Sequence, residues 1–142
     1  MALLNYTTTI TATRTAQQIQ DILTAHGARA ILMEYDRGVV SAISFKVMVP
    51  QKELGIRLPV DVQATLRVLK RNRVAPRYCT EEHARNVAWR IIKDWVEAQM
   101  AILSTEMVRM EQIFLPYIIT EGGKTVYERL LATGFQLEEG KG

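Results

Sequence analysis

Apolar positions recur along this chain with two periods. From residue 6 to residue 13, Tyr6, Thr8, Ile10 and Ala12 alternate with threonines, which predicts a β-branched strand. Thr15-Ala16-Gln17-Gln18 has capping-box spacing. The helix it opens carries Ala16, Ile19, Ile22 and Leu23 on one stripe, and Gly27 is placed to end it. Residues 29–35 read as a second strand, Asp36-Arg37-Gly38 as a turn, and residues 39–49 as a third strand, so the two strands form a hairpin. Ile43, Phe45, Val47 and Val49 share one face of that third strand, while Ser44 and Lys46 take the other. Residues 54–58 supply a fourth strand with Arg57 on its polar side. It ends at Leu58-Pro59, because a residue before proline avoids helical backbone. Residues 61–72 predict a second helix with Val62, Leu66 and Leu69 inward.

The longest helix begins at Thr80, with Glu81 and Glu82 in the first turn where the helix dipole favours them, and runs to about residue 103. Ala84, Val87, Ala88, Ile91, Ile92, Trp95, Ala98, Ile102 and Leu103 form its apolar stripe. Trp89, Val96 and Met100 widen it until only the side bearing Glu82, Asn86, Arg90, Lys93 and Glu97 reads as solvated. One sheet face cannot cover such an arc. The C-terminal helices or another subunit must cover the rest, which makes Trp89, Val96, Gln99 and Met100 candidate interface residues. Arg85 and Gln99 fall inside the arc and need polar partners: internal ones, a subunit interface, or a ligand. Residues 107–117 predict a short helix stopped near Pro116, and Gly122-Gly123 a turn. Thr125-Val126-Tyr127-Glu128 is a second capping box, and Gly134 ends the helix it opens.

These elements predict an α+β fold: a mixed, mainly antiparallel four-stranded sheet in the order β-α-β-β-β-α, followed by a helical C-terminal half. One domain spans residues 1–142, with the sheet in 1–75 and the helices of 80–135 packed on it. The internal α-β-β-β-α order resembles that of double-stranded RNA-binding domains. Those domains place a lysine cluster at the start of the second helix, where this chain has Pro59-Val60-Asp61, and that departure counts against their mode of binding.

Composition narrows the class. The 142 residues are 48% hydrophobic and 23% charged, a globular balance with no apolar run long enough to span a membrane. The first residues lack the basic and apolar regions of a signal peptide. One cysteine, Cys79, excludes an internal disulfide and fits a reducing cytoplasm. The net charge of +3 is unevenly spread: Arg67, Lys70, Arg71, Arg73 and Arg77 lie between Asp61 and Glu81 with no acidic residue among them. Such a run attracts phosphates, although a solvated helix end gives the same pattern more often. Arg67, Lys70 and Arg71 share one helical face, and Lys46 and Arg57 are candidates to extend it. Arg85, beside aromatic surface, completes the candidate ligand-binding set.

Catalytic chemistry is harder to place. His26 and His83 lie on different elements without a second ligand at metal spacing, and His26 suits a helix C-terminus. Cys79 precedes a helix start and has His83 four residues on, but no orienting third group accompanies them. No phosphate-binding glycine loop or nucleophile elbow occurs. The expectation is therefore no enzyme, no cofactor and no metal.

The run from Val87 to Gln99, with Trp89, Arg90, Lys93, Asp94 and Trp95, is followed by Phe114-Leu115-Pro116-Tyr117 and by Lys124-Thr125-Val126-Tyr127-Glu128. With His26-Gly27-Ala28-Arg29 and Tyr35-Asp36, it resembles a family of small proteins of unknown function encoded by phages and prophages. That resemblance implies an accessory protein acting in the bacterial host cytoplasm. Together the readings point to a non-enzymatic protein that binds an anionic ligand, either nucleic acid or a nucleotide signal it sequesters. The alternative is a protein–protein adaptor or inhibitor, or an oligomer, using the long apolar helix on a host or phage partner.

Overall fold

The structure, a computed structural model, describes residues 2–50 and 52–136. Its first helix, α1 (Ala12–Ala25), starts earlier than the sequence pattern suggests. Thr11 is the N-cap, its hydroxyl accepting from the Arg14 N–H at 3.2 Å. The strand expected over residues 6–13 is therefore absent. The chain before α1 runs through two tight turns, in which the Tyr6 N–H donates to the Leu3 carbonyl and the Thr8 N–H to the Asn5 carbonyl. Threonine hydroxyls compete for local backbone groups, and here that local bonding and the cap prevail over β propensity. Thr15, the expected cap, sits instead in the buried stripe of α1 with Ala12, Ala16, Ile19 and Leu23. Gly27, at φ +93°, terminates the helix as expected.

Three strands follow, β1 (Ala30–Asp36), β2 (Val39–Met48) and β3 (Glu53–Arg57), in the order β1-β2-β3 and antiparallel throughout. The sheet thus has three strands rather than four, and the observed order begins α-β-β-β-α. The β1–β2 hairpin turns through Arg37 (φ 51°) and Gly38 (φ 81°), the two left-handed residues that a two-residue hairpin of this hand requires. Register pairs Ile31 with Phe45, Met33 with Ile43, Phe45 with Ile56 and Val47 with Leu54, which sends these side chains to the helical side. Leu32, Ser44 and Arg57 form a row on the opposite face, as do Ala30, Lys46 and Gly55. The free edge of β3 is partly closed from the C-terminal half: the Ile119 N–H donates to the Gly55 carbonyl at 2.8 Å, and Ile118 bridges to Ile56. That segment takes the edge position which the residues before α1 leave unfilled.

The remaining helices are α2 (Val62–Arg71), α3 (Glu81–Ser104), α4 (Met110–Ile113) and α5 (Val126–Ala132). Asp61 caps α2, Thr80 caps α3, and Thr125 with Glu128 closes the expected capping box on α5. Both α1 and α2 pack along α3. A chain of edge-to-face rings joins the sheet to the C-terminal half: Phe45 to Phe114 (5.7 Å), Phe114 to Trp95 (5.7 Å) and Trp95 to Tyr117 (5.5 Å). Much of the apolar arc of α3 is thus covered within the chain, Trp89, Val96 and Met100 being buried, while Ile102 on the same stripe stays exposed. Among the described residues no helix is long and apolar enough to cross a membrane.

Candidate anion-binding surface

Helix α2 buries Leu69 completely and half-buries Val62, Leu66 and Val68, so its exposed positions are Gln63, Arg67, Lys70 and Arg71. The helix stops at Asn72, Arg73 reverses the chain at φ +54°, and a 3-10 turn (Pro76–Tyr78) carries Arg77 into solvent. Lys70 and Arg71 in the last turn are favourable there simply because the carbonyl end of a helix is negative. Pairing is more discriminating. Among the described residues, none of Arg67, Lys70, Arg71, Arg73 and Arg77 enters a salt bridge. Several cations elsewhere do: Lys46 with Glu53 (3.7 Å), Arg57 with Glu128 (3.5 Å), Arg85 with Glu81 (3.4 Å), Lys93 with Glu97, and Arg109 with Glu111 (2.7 Å).

Lys46 and Arg57 do not extend this surface. Their side chains project from the sheet face turned away from the core, where Arg57 reaches Glu128 of α5, whereas α2 packs on α3. Arg57 is also tied to the loop before α5, donating to the Gly123 carbonyl at 3.1 Å. It lies close enough to Glu128 to contribute to the lowering of that carboxyl's pKa, although the hydrogen bonds from the Thr125 backbone N–H and hydroxyl are the larger causes. Arg85 lines a hollow of about 270 Å³ with Val39, Asp36, Asp61, Gln63 and Glu81. Three carboxylates there make the hollow unsuited to an anion. Trp89, Val96 and Met100 are buried in the core and Gln99 is half-buried, so the α3 arc does not provide the open apolar surface of an adaptor.

The histidines serve the fold. His26 Nδ1 hydrogen-bonds the Ile22 carbonyl at 2.9 Å at the end of α1. His83 Nε2 hydrogen-bonds the Tyr6 carbonyl, 77 residues away in sequence, which pins the segment before α1 against the start of α3. Cys79 is half-buried with its thiol 3.8 Å from the Val74 carbonyl. Among the described residues, no three His, Cys, Asp or Glu side chains converge on a metal position.

One aromatic cluster is assembled only by the fold. Tyr78 packs edge-on to Tyr6 (5.6 Å between centroids) and tilted on His83 (4.9 Å). The Arg77 guanidinium lies 4.7 Å over the Tyr78 ring and donates to its hydroxyl at 3.0 Å. The adjacency of Arg77 and Tyr78 was visible in the sequence, but Tyr6 joins them only through the fold. Several larger hollows lie away from these cations. One of about 540 Å³ runs between α1 and α3 beside Asp21, His26 and Glu97, and one of about 460 Å³ lies on the outer sheet face beside Leu32, Ser44 and Arg57. None of Arg67, Lys70, Arg71, Arg73 and Arg77 lines either. No protein-family model, curated protein or solved structure matches this chain.

Proposed function

We propose that this chain is a non-enzymatic accessory protein that binds the phosphate backbone of nucleic acid through the surface formed by Arg67, Lys70, Arg71, Arg73 and Arg77. The observation that carries the reading is their shared state: five exposed cations within eleven residues, none in a salt bridge among the described residues. An extended anion with repeated charges matches an open surface of this kind better than a single nucleotide, which needs an enclosing pocket. Base stacking is not favoured. The most exposed aromatic residues, Tyr35, Tyr127 and Phe135, belong to other elements, so contact falls on phosphates and carries little sequence preference. The accessory role in an infected cell rests on the resemblance of residues 87–99 to small phage-encoded proteins.

The test is fluorescence anisotropy with labelled DNA and RNA duplexes across a salt series. Each phosphate contact on B-form DNA contributes about 0.9 to the slope of log affinity on log salt, so five contacts give about 4.5. Affinity should then fall roughly 500-fold between 50 and 200 mM salt. Lys70→Ala with Arg71→Ala removes about 1.8 from the slope and leaves a loss of roughly 40-fold. Absence of duplex binding at 50 mM salt, or an unchanged slope in the double variant, would refute the proposal.

A further inference from the structure

Resting on that reading, we propose that Tyr78 is the positioning residue of the surface, and that it makes Arg77 a fixed phosphate contact rather than one mobile charge among five. Arg77 is the one cation of the set with a side-chain partner among the described residues. Its guanidinium is stacked over the Tyr78 ring at 4.7 Å and donates to the phenol oxygen at 3.0 Å. One of its five N–H donors is taken, and the rest of the planar fork stays available to a phosphate. A side chain already held in place loses less freedom on binding, so it contributes more than an equal charge on a free stem.

Tyr78 can hold Arg77 because it is itself held. The 3-10 turn fixes its backbone, with Pro76 restricting the turn and the Tyr78 N–H donating to the Ala75 carbonyl at 2.9 Å. Its ring rests on Tyr6 and His83, and His83 also binds the Tyr6 carbonyl. The segment carrying Tyr6 is anchored further along α3: Asn5 donates to Asp94 at 2.8 Å, and the Ala12 N–H donates to the Asn86 side chain at 2.8 Å. A part of the chain far from α2 in sequence thus forms the seat of one of its anion contacts. Arg67, Lys70, Arg71 and Arg73 have no comparable support and act as interchangeable charges.

The experiment is a double-mutant cycle read by duplex-binding anisotropy at low salt, using Arg77→Ala, Tyr78→Leu and the pair, with Arg77→Lys and Arg71→Lys alongside. Arg77→Ala should weaken binding about 10-fold, the worth of a charge-assisted hydrogen bond. Tyr78→Leu, which changes no charge, should weaken it to within about threefold of Arg77→Ala while leaving the salt slope near the wild-type value, whereas Arg77→Ala lowers the slope by about 0.9. The pair should be no more than about twofold weaker than Arg77→Ala alone. Arg77→Lys keeps the charge but loses the planar fork, so it should bind measurably more weakly than the wild type while keeping its salt slope, and Arg71→Lys should bind like the wild type. Tyr78→Phe keeps the ring seated and deletes only the bond to Arg77, so it should give a smaller loss that vanishes in the Arg77→Ala background even if Tyr78→Leu is poorly folded. Additive losses across the cycle, or full affinity in both Tyr78 variants, would overturn the positioning role. A wild-type protein that binds no duplex at 50 mM salt would instead bring down the underlying reading, and this inference with it.

Discussion

Replacing Thr15 by valine should stabilise the protein. The sequence pattern makes Thr15 a helix cap, and losing a threonine cap costs about 1 kcal/mol. The structure places Thr15 on the buried stripe of α1, fully inaccessible, with no hydrogen-bond partner for its hydroxyl among the described residues. A hydroxyl buried without a partner costs about 1–3 kcal/mol by protein mutational data, and valine has nearly the same shape with a methyl in its place. Thr and Val differ little in helix propensity, so no offsetting term of that size arises from the backbone. The expected gain is therefore about 1–2 kcal/mol. For a chain of this length that is a rise in Tm of about 4 °C per kcal/mol. Urea unfolding and thermal melts of Thr15→Val and Thr11→Ala, side by side, check both halves of the argument. Thr11→Ala removes the observed cap and should cost about 1 kcal/mol. If Thr15→Val lost 1 kcal/mol or more while Thr11→Ala was silent, the helix would start where the sequence pattern put it, and the account of α1 would be wrong.

Other outcomes follow from particular contacts. Phe114→Ala removes a fully buried ring that touches both Phe45 and Trp95 and should cost about 3–5 kcal/mol in denaturant unfolding, whereas Leu115→Ala, at an exposed neighbour, should cost under about 1. Equal effects would mean the C-terminal segment is not packed on the sheet. Glu128 has its pKa lowered below the ordinary 4.5 by the Thr125 hydrogen bonds and then by Arg57. A folded-state pKa below the unfolded one makes the contribution of Glu128 fully present above the unfolded value and lost as pH falls through the folded value. Acid titration of stability should therefore show a shallower fall in Glu128→Gln than in the wild type, and superimposable profiles would remove the carboxylate from the capping box. Gly38→Ala places a Cβ at φ +81° and should cost about 1 kcal/mol, while Arg37→Asn, relieving a left-handed arginine, should raise the Tm.

Local signals were the legible part of this chain. The hairpin, its glycine-bearing turn, the caps at Thr80 and Thr125, the span of α3 and the inward face of β2 all rest on interactions within a few residues of one another. Each such element carries its own stop and start in the side chains that satisfy its terminal backbone groups. The unopposed cations of α2 belong to the same class, since charge spacing on one helix needs no tertiary information. Tertiary packing decided the rest. The alternating threonines of residues 6–13 are equally compatible with a strand or with turns and a cap, and a strand needs an edge to pair with. Ile118 and Ile119 occupy part of the β3 edge, and Thr11 caps α1. Whether the broad apolar face of α3 met a second subunit or its own chain could not be decided from periodicity, which gives the width of a face but not its neighbour. The Phe45–Phe114–Trp95–Tyr117 ladder covers the Trp95 part of that face from within the chain, and Trp89, Val96 and Met100 are buried in the same core. Likewise Lys46 and Arg57 share a charge sign with α2 but not a side of the sheet, and Tyr6 meets Tyr78 only because His83 and Asp94 hold the first residues along α3. Sequence fixes short-range chemistry because its partners are covalently near. Which distant surfaces meet depends on shape and burial summed over the whole chain, and only the folded structure reports that sum.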